Sequence, residues 1–190
     1  MTADPLARDP LAPRAADLAR IGDLTGGEVT ASSVPFLAQV SLRLDPALAH
    51  RAPIPLPLEP NTAWEDGPRA ALWLGPDEWL VLCPPHAGPE IAAELDSALA
   101  DVHRSILDLS ANRVAIELSG PGRFALLSKG CPIDLHPLSW TAGACAQTLI
   151  AKAQVILHER ADTTGLLVRT SFAGYLVDWL LAASGEPSAD

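Results

Sequence analysis

The sequence predicts an α+β fold of mainly antiparallel sheets, arranged as two ferredoxin-like halves. Two observations carry this. Short runs with apolar residues at every second position, the pattern of half-buried strands, recur along the chain. The order strand, helix, strand, strand, helix then occurs twice, the first half adding a strand, and each half has one apolar sheet face to cover with helices. With 190 residues the chain can bury roughly 70 % of its unfolded surface, so a single domain needs no cross-links.

Residues 1–25 are rich in Ala, Asp, Pro and Arg with weak periodicity. They predict a mobile N-terminal tail, or a short helix around Ala15 to Ile21, outside the core. The globular part is expected over 26–190, with halves at about 36–110 and 111–184. In the first half, Val40, Leu42 and Leu44 alternate with Gln39, Ser41 and Arg43 as a strand, and a helical turn follows at Asp45 to His50. Pro53 to Pro60 alternates proline with apolar residues. Proline removes N–H donors, so this stretch must be an extended surface connection rather than a central strand.

Ala70 to Leu74 and Trp79 to Cys83 flank Gly75-Pro-Asp77 and predict a hairpin. Ile91, Leu95, Leu99 and Val102 form one helical stripe over Pro89 to Val102, and Ser105 to Leu109 returns as a strand. In the second half Val114, Ile116 and Leu118 alternate as a strand, and Pro121 to Lys129 is helical, with Gly130 just past its end. Ala146 to His158 and Leu166 to Thr170 are predicted as strands around a turn at Ala161 to Gly165. Ser171 to Ser184 closes the chain as a helix, with Phe172, Leu176, Trp179, Leu180 and Ala183 on its buried side.

Composition narrows the function. The net charge is −10, with no cluster of Lys or Arg, which argues against a nucleic-acid or anionic-membrane partner. Cys83, Cys131 and Cys145 are odd in number and widely spaced, so neither a disulfide framework nor a zinc site is indicated. No apolar run approaches the roughly 20 residues of a membrane span, and the start lacks the pattern of a secretory leader. A soluble cytoplasmic protein is expected.

Gly120-Pro-Gly-Arg-Phe-Ala125 formally matches a dinucleotide-binding turn between a strand and a helix. The acidic residue expected about 20 positions on is missing, since no Asp or Glu lies between Asp134 and Glu159. The turn therefore reads as a helix start. His50, His86, His103, His136 and His158 show no metal-ligand spacing, and Ser128, Ser139 and Cys131 near His136 lack an evident base held by a third group. Asp77 and Glu78 are adjacent on a strand edge and point to opposite faces, so they cannot flank one substrate bond. Trp73, Trp79 and Trp179 lie on regular elements and belong to the core, whereas Trp64 and Trp140 lie in loops. There they are either structural caps or the candidate partner-interface residues.

The hairpin Ala71-Leu-Trp-Leu-Gly-Pro-Asp-Glu-Trp-Leu-Val-Leu82 and Gly130-Cys-Pro-Ile-Asp-Leu135 carry a family resemblance. Ala146-Gln-Thr-Leu149 and the closing Arg169-Thr-Ser-Phe-Ala-Gly-Tyr-Leu-Val-Asp-Trp-Leu180 share it. In this order and spacing, they make the chain resemble the gamma subunit of heterotetrameric sarcosine oxidase. The resemblance implies a fold like that of the folate-binding aminomethyltransferases and membership of an oxidoreductase complex. That complex demethylates sarcosine to glycine, with hydrogen peroxide and formaldehyde or methylenetetrahydrofolate. It implies FAD, FMN, NAD, zinc and tetrahydrofolate on the alpha, beta and delta partners, and none on this chain. The transferase motif of consecutive glycines followed by paired aspartates has no counterpart here, so no catalytic, cofactor-binding or metal residue is carried over. The alternatives are a stand-alone folate binder of the transferase type and the equivalent subunit of a related N-methyl amino acid dehydrogenase.

Overall fold

Alternation along each strand decides which side chains meet helices and which meet the other sheet. The computed structural model describes residues 8–186. It contains two five-stranded sheets. One comprises β2 (Ala38–Leu44), β3 (Ala63–Asp66), β4 (Arg69–Gly75), β5 (Glu78–Cys83) and β6 (Arg104–Asp108). The other comprises β1 (Thr30–Val34), β7 (Arg113–Ser119), β8 (Cys145–Ile150), β9 (Ala153–Glu159) and β10 (Thr163–Arg169). The strand orders are β3-β4-β5-β2-β6 and β8-β9-β10-β7-β1. They correspond position by position, and all the registered pairs are antiparallel. The α+β architecture of two antiparallel halves is therefore as the sequence predicts, with one rearrangement: β1, from the chain's start, fills in the second sheet the place β6 holds in the first.

On the outer face of the first sheet, Val40, Leu42, Trp79 and Val81 pack against Ile91, Leu95 and Leu99. The last three line helix α2 (Gly88–Ala98) and its C-cap. The Pro-rich connection lies over the same face, with Ile54 and Leu56 buried beneath it. The Trp79 indole N–H donates to the Pro57 carbonyl at 2.7 Å, which ties this extended stretch to the sheet where ladder bonds are unavailable. The second sheet is covered by α1 (Ala15–Leu24), α3 (Arg123–Ser128) and α4 (Ala173–Ser184). Between the sheets Ala70, Leu72, Leu80 and Leu82 meet Ala115, Cys145, Ile156 and Leu167. The result is four layers, helices outside and sheets face to face.

Four expectations need correction. The segment expected outside the core supplies Leu11, Leu18 and Ile21 to it, each at most 1 % exposed, because α1 packs on β1 and α4. Residues 1–7 of the expected tail lie outside the described residues. The long strand predicted from Ala146 to His158 is two strands joined at Ala151, which turns the chain with φ +50°. Thr163 to Gly165, assigned to a turn, open β10 instead. Phe172 stands 43 % exposed, edge-on to Tyr175, because α4 begins one residue later. Strand β3, carrying Trp64, and strand β1 were not predicted.

Candidate functional site

The residues the sequence singled out are held mainly by structural contacts. Gly120 adopts φ +97°, and a Cβ there would stand 2.3 Å from the Glu28 carbonyl oxygen. Gly122 donates its N–H to that same carbonyl at 3.0 Å. The glycine turn is thus shaped to accept the Glu28–Val29 backbone, which occupies the space a phosphate would need. Gly130 serves likewise, a Cβ there coming 2.5 Å from the Trp179 ring. His136 Nδ1 accepts from the Leu138 N–H, the Ser128 hydroxyl donates to the Phe124 carbonyl, and Cys131 is buried. No nucleophile and base come together among them. Among the described residues no group of three His, Cys, Asp or Glu is placed to hold a metal ion.

Trp140 is 6 % exposed and part of the second half's core. Its indole N–H donates to Glu159 Oε2 at 3.1 Å. The expectation of Trp140 as an interface anchor fails for that reason: the ring faces inward, and the same loop turns Leu138 outward at 87 % exposure. Trp64 is half-buried on the edge strand β3, against the first half's core.

A cavity of about 540 Å³ lies where the halves join, lined by Val34, Phe36, His86, Asp108, Ser110 and Arg113 among others. Phe36 and His86 both take positive φ, at 58° and 67°, and stack with ring centroids 5.3 Å apart. Asp108 Oδ1 accepts from the Ser110 hydroxyl at 2.5 Å and backbone N–H at 2.9 Å. Ser110 Oγ in turn accepts the Gln39 N–H at 3.0 Å. Gly88 lets the start of α2 approach this carboxylate, since a Cβ would sit 2.6 Å from it, and the helix dipole favours the charge there. Gln39 is wholly buried and donates its amide to the Arg113 carbonyl at 2.9 Å, while its Oε1 has no partner among the described residues.

Arg113 also reaches a second cleft of about 350 Å³, shared with Gln147, Leu149, Gln154 and Arg169. Arg113 and Arg169 are directly opposed across the β7–β10 ladder. Burial, and then the neighbouring Arg169 charge, push the Arg113 guanidinium below the usual arginine range. Its Nη1 is buried without a hydrogen-bond partner among the described residues. Sequence reading missed this pair. Arg113 opens and Arg169 ends an apolar strand run, but the register that opposes them is not written in either run.

A model of the sarcosine oxidase gamma subunit family matches residues 43–186. The chain belongs to this family. Sarcosine oxidase subunit gamma of Corynebacterium sp. strain P-1 is 39 % identical over 170 residues, covering 85 % of this chain and 83 % of that one. The subunit of the same description from an Arthrobacter species is 35 % identical over 170 residues, with the same coverage. In the solved heterotetrameric sarcosine oxidase from Corynebacterium sp. U-96, in complex with pyrrole 2-carboxylate, one chain matches at TM-score 0.87 and 35 % identity. The match covers 97 % of this chain and 98 % of that chain. The glycine cleavage system aminomethyltransferase T from Bartonella henselae matches at TM-score 0.66 over 88 % of this chain and 49 % of that one. At 12 % identity this shows a shared fold alone.

Within this sarcosine oxidase gamma chain, the residues that carried the resemblance have structural work. Trp73 and Trp79 are cross-strand partners beside the bulge that closes the hairpin. Gln147 of the Ala146 to Leu149 stretch donates its amide to the Leu74 carbonyl at 2.9 Å, tying the second sheet to that hairpin's end.

Proposed function

We propose that this chain is the gamma subunit of a heterotetrameric sarcosine oxidase and that its role there is structural. The observation that carries the reading is the near end-to-end match, at TM-score 0.87, with a chain of the Corynebacterium sp. U-96 heterotetramer. A non-catalytic role is supported by the use of its chemically capable side chains. Glu159 is tied to Arg123, Trp140 and Thr164, and Cys83, Cys131 and Cys145 are buried. Exposed apolar side chains, Leu58 and Leu138 above all, offer surface to partners.

On this reading the assembled oxidase demethylates sarcosine to glycine in the cytoplasm, with hydrogen peroxide and formaldehyde or methylenetetrahydrofolate. FAD, FMN, NAD, zinc and tetrahydrofolate are held by the alpha, beta and delta partners, and the gamma chain docks chiefly on alpha, with Trp64 as an anchor. No described helix is long and apolar enough to cross a membrane. The test is co-expression with the flavoprotein subunits of a sarcosine oxidase. Co-elution, and peroxide release on adding sarcosine only from the assembled complex, is the expected result. Sarcosine oxidation by the lone chain, or failure of the chain to co-elute, overturns the reading. Saturable binding of a tetrahydrofolate analogue by the isolated chain points instead to the transferase-like alternative.

A further inference from the structure

The register places one row of side chains across four strands of the second sheet. Arg169 opposes Arg113, Leu149 opposes Gln154, and the pairing of Val168 with Val155 brings Arg169 level with Gln154. All four line the 350 Å³ cleft. Like charges directly opposed across a ladder destabilise it, and a buried guanidinium donor without a partner adds a desolvation cost. The chain has 23 acidic residues against 13 basic ones, yet none of the described acids pairs with either arginine. Glu78, whose charge Arg113 feels, is bound to Arg43 at 2.6 Å.

We propose that this row seats an acidic side chain of a partner subunit, its carboxylate held between the Arg113 and Arg169 guanidiniums and a neighbouring apolar side chain resting on Leu149. The inference rests on the gamma-subunit reading and names a docking contact within it. Charge complementarity selects the occupant: the planar forks of two arginines match a carboxylate. The openness of the row selects its source. Arg169, Gln154 and Leu149 are exposed, Leu149 at 41 %, so the carboxylate arrives on a protruding segment of another protein rather than as an enclosed small molecule.

The experiment co-expresses the full chain with its partner subunits and measures assembly against sodium chloride concentration. It compares wild type with the double variants Arg113→Gln, Arg169→Gln and Arg113→Lys, Arg169→Lys. The glutamine pair is expected to weaken assembly at least about tenfold and flatten its salt dependence, as loss of a charged contact does. The lysine pair is expected to keep most of both. The isolated glutamine variant is expected to melt no lower than wild type, because the repulsion is gone, so misfolding does not explain lost assembly. Unchanged assembly and salt dependence in the glutamine variant overturn the inference while leaving the gamma reading intact, and a wild-type chain that never assembles overturns that reading itself. Stabilisation of the isolated wild type by formate, absent in a glutamine variant that still assembles normally, makes the row a small-anion site and also overturns the docking contact.

Discussion

Trp140 and Glu159 meet inside the second half's core, the indole N–H donating to Oε2 at 3.1 Å. The same carboxylate accepts from Arg123 at 2.8 Å and Thr164 at 2.5 Å, and is 2 % exposed. A loop tryptophan, the start of α3 and the β9–β10 hairpin are thereby fastened to one buried charge. Removing one partner of such a pair leaves the other charge unmatched, so Glu159→Ala should cost about 3–5 kcal/mol. Trp140→Ala should cost about 3–5 kcal/mol by leaving a cavity, and Trp140→Phe about half of that, since most of the ring volume remains. Urea unfolding of the isolated chain measures all three. A near-neutral Trp140→Ala would show that neither the ring's packing nor its bond to Glu159 holds this core together.

His158 of the second sheet meets Glu65 of the first, Nε2 lying 2.5 Å from Glu65 Oε1 but without the geometry of a hydrogen bond. Arg160 shares that oxygen at 3.2 Å. The carboxylate favours a charged imidazole, but burial, with the Arg160 charge behind it, prevails and pushes His158 down to about 3. In the unfolded chain the group titrates near 6.5. The resulting stability is complete above about pH 6.5 and drains as pH falls, because the unfolded state takes up a proton that the folded state refuses. Between about pH 6 and 4 the slope should approach about 1.4 kcal/mol per pH unit. His158→Asn should flatten it, measured as unfolding free energy against pH; equal slopes for both chains would show that His158 is charged when folded.

Burial pushes the thiols of Cys83 and Cys145 up to about 11. Both are wholly buried, and Cys131 is 8 % exposed. Because the thiolate is the reacting form, iodoacetamide at pH 8 should leave the native chain unlabelled over a time in which the urea-unfolded chain takes up three adducts. Mass spectrometry reads the count. Rapid labelling of Cys145 in the folded chain would mean that the sheets part easily at β8.

Gly120 is the glycine whose replacement should hurt most, as positive φ and the Glu28 carbonyl act together. Gly120→Ala should cost on the order of 3 kcal/mol. Gly26→Ala, also at positive φ but with open space around its Cβ, should cost about 1 kcal/mol. Equal midpoints for the two variants in urea would show that the close approach yields cheaply.

How much was legible follows from how local each signal is. The Trp73–Trp79 hairpin, the Ile91, Leu95, Leu99 stripe and the proline connection depend on neighbours a few residues away, and the sequence displays them. The sheet to which a strand belongs is not local. Thr30-Ala-Ser-Ser-Val34 has a strand's spacing but little apolar content, and it becomes a strand because β7 offers it an edge. Trp140 looked exposed because it sits in a loop; the Glu159 carboxylate that draws it inward is 19 residues on. The Arg113–Arg169 opposition depends on β10 returning beside β7, which neither segment shows alone.

Trp64 on the edge strand β3 is the anchor proposed for a partner subunit. It is half-buried against the first half's core. Trp64→Ala should weaken co-purification with the flavoprotein subunits by about 2 kcal/mol if it is a hot spot. Unchanged assembly of a folded Trp64→Ala chain would move the anchor to Leu58 or Leu138.

The N-terminal helix offers the sharpest test of what the sequence misjudged. Leu11, Leu18 and Ile21 are each at most 1 % exposed, and Arg14 reaches across to Asp178 of α4 at 2.5 Å. A chain starting at Gly26 loses all three aliphatic side chains, worth about 2 kcal/mol each. It also strips the cover from β1, the edge strand paired to β7. About 6 kcal/mol is an upper figure, because the unfolded chain already hides some of that surface. It still rivals the roughly 5–15 kcal/mol by which most domains are stable at all. The truncated chain should therefore melt far below the intact one, or expose apolar surface and bind a hydrophobic dye, while deletion of residues 1–7 alone leaves Leu11 and the helix in place. Equal melting temperatures for the intact chain and the chain starting at Gly26 would mean that α1 adds nothing to the core it covers.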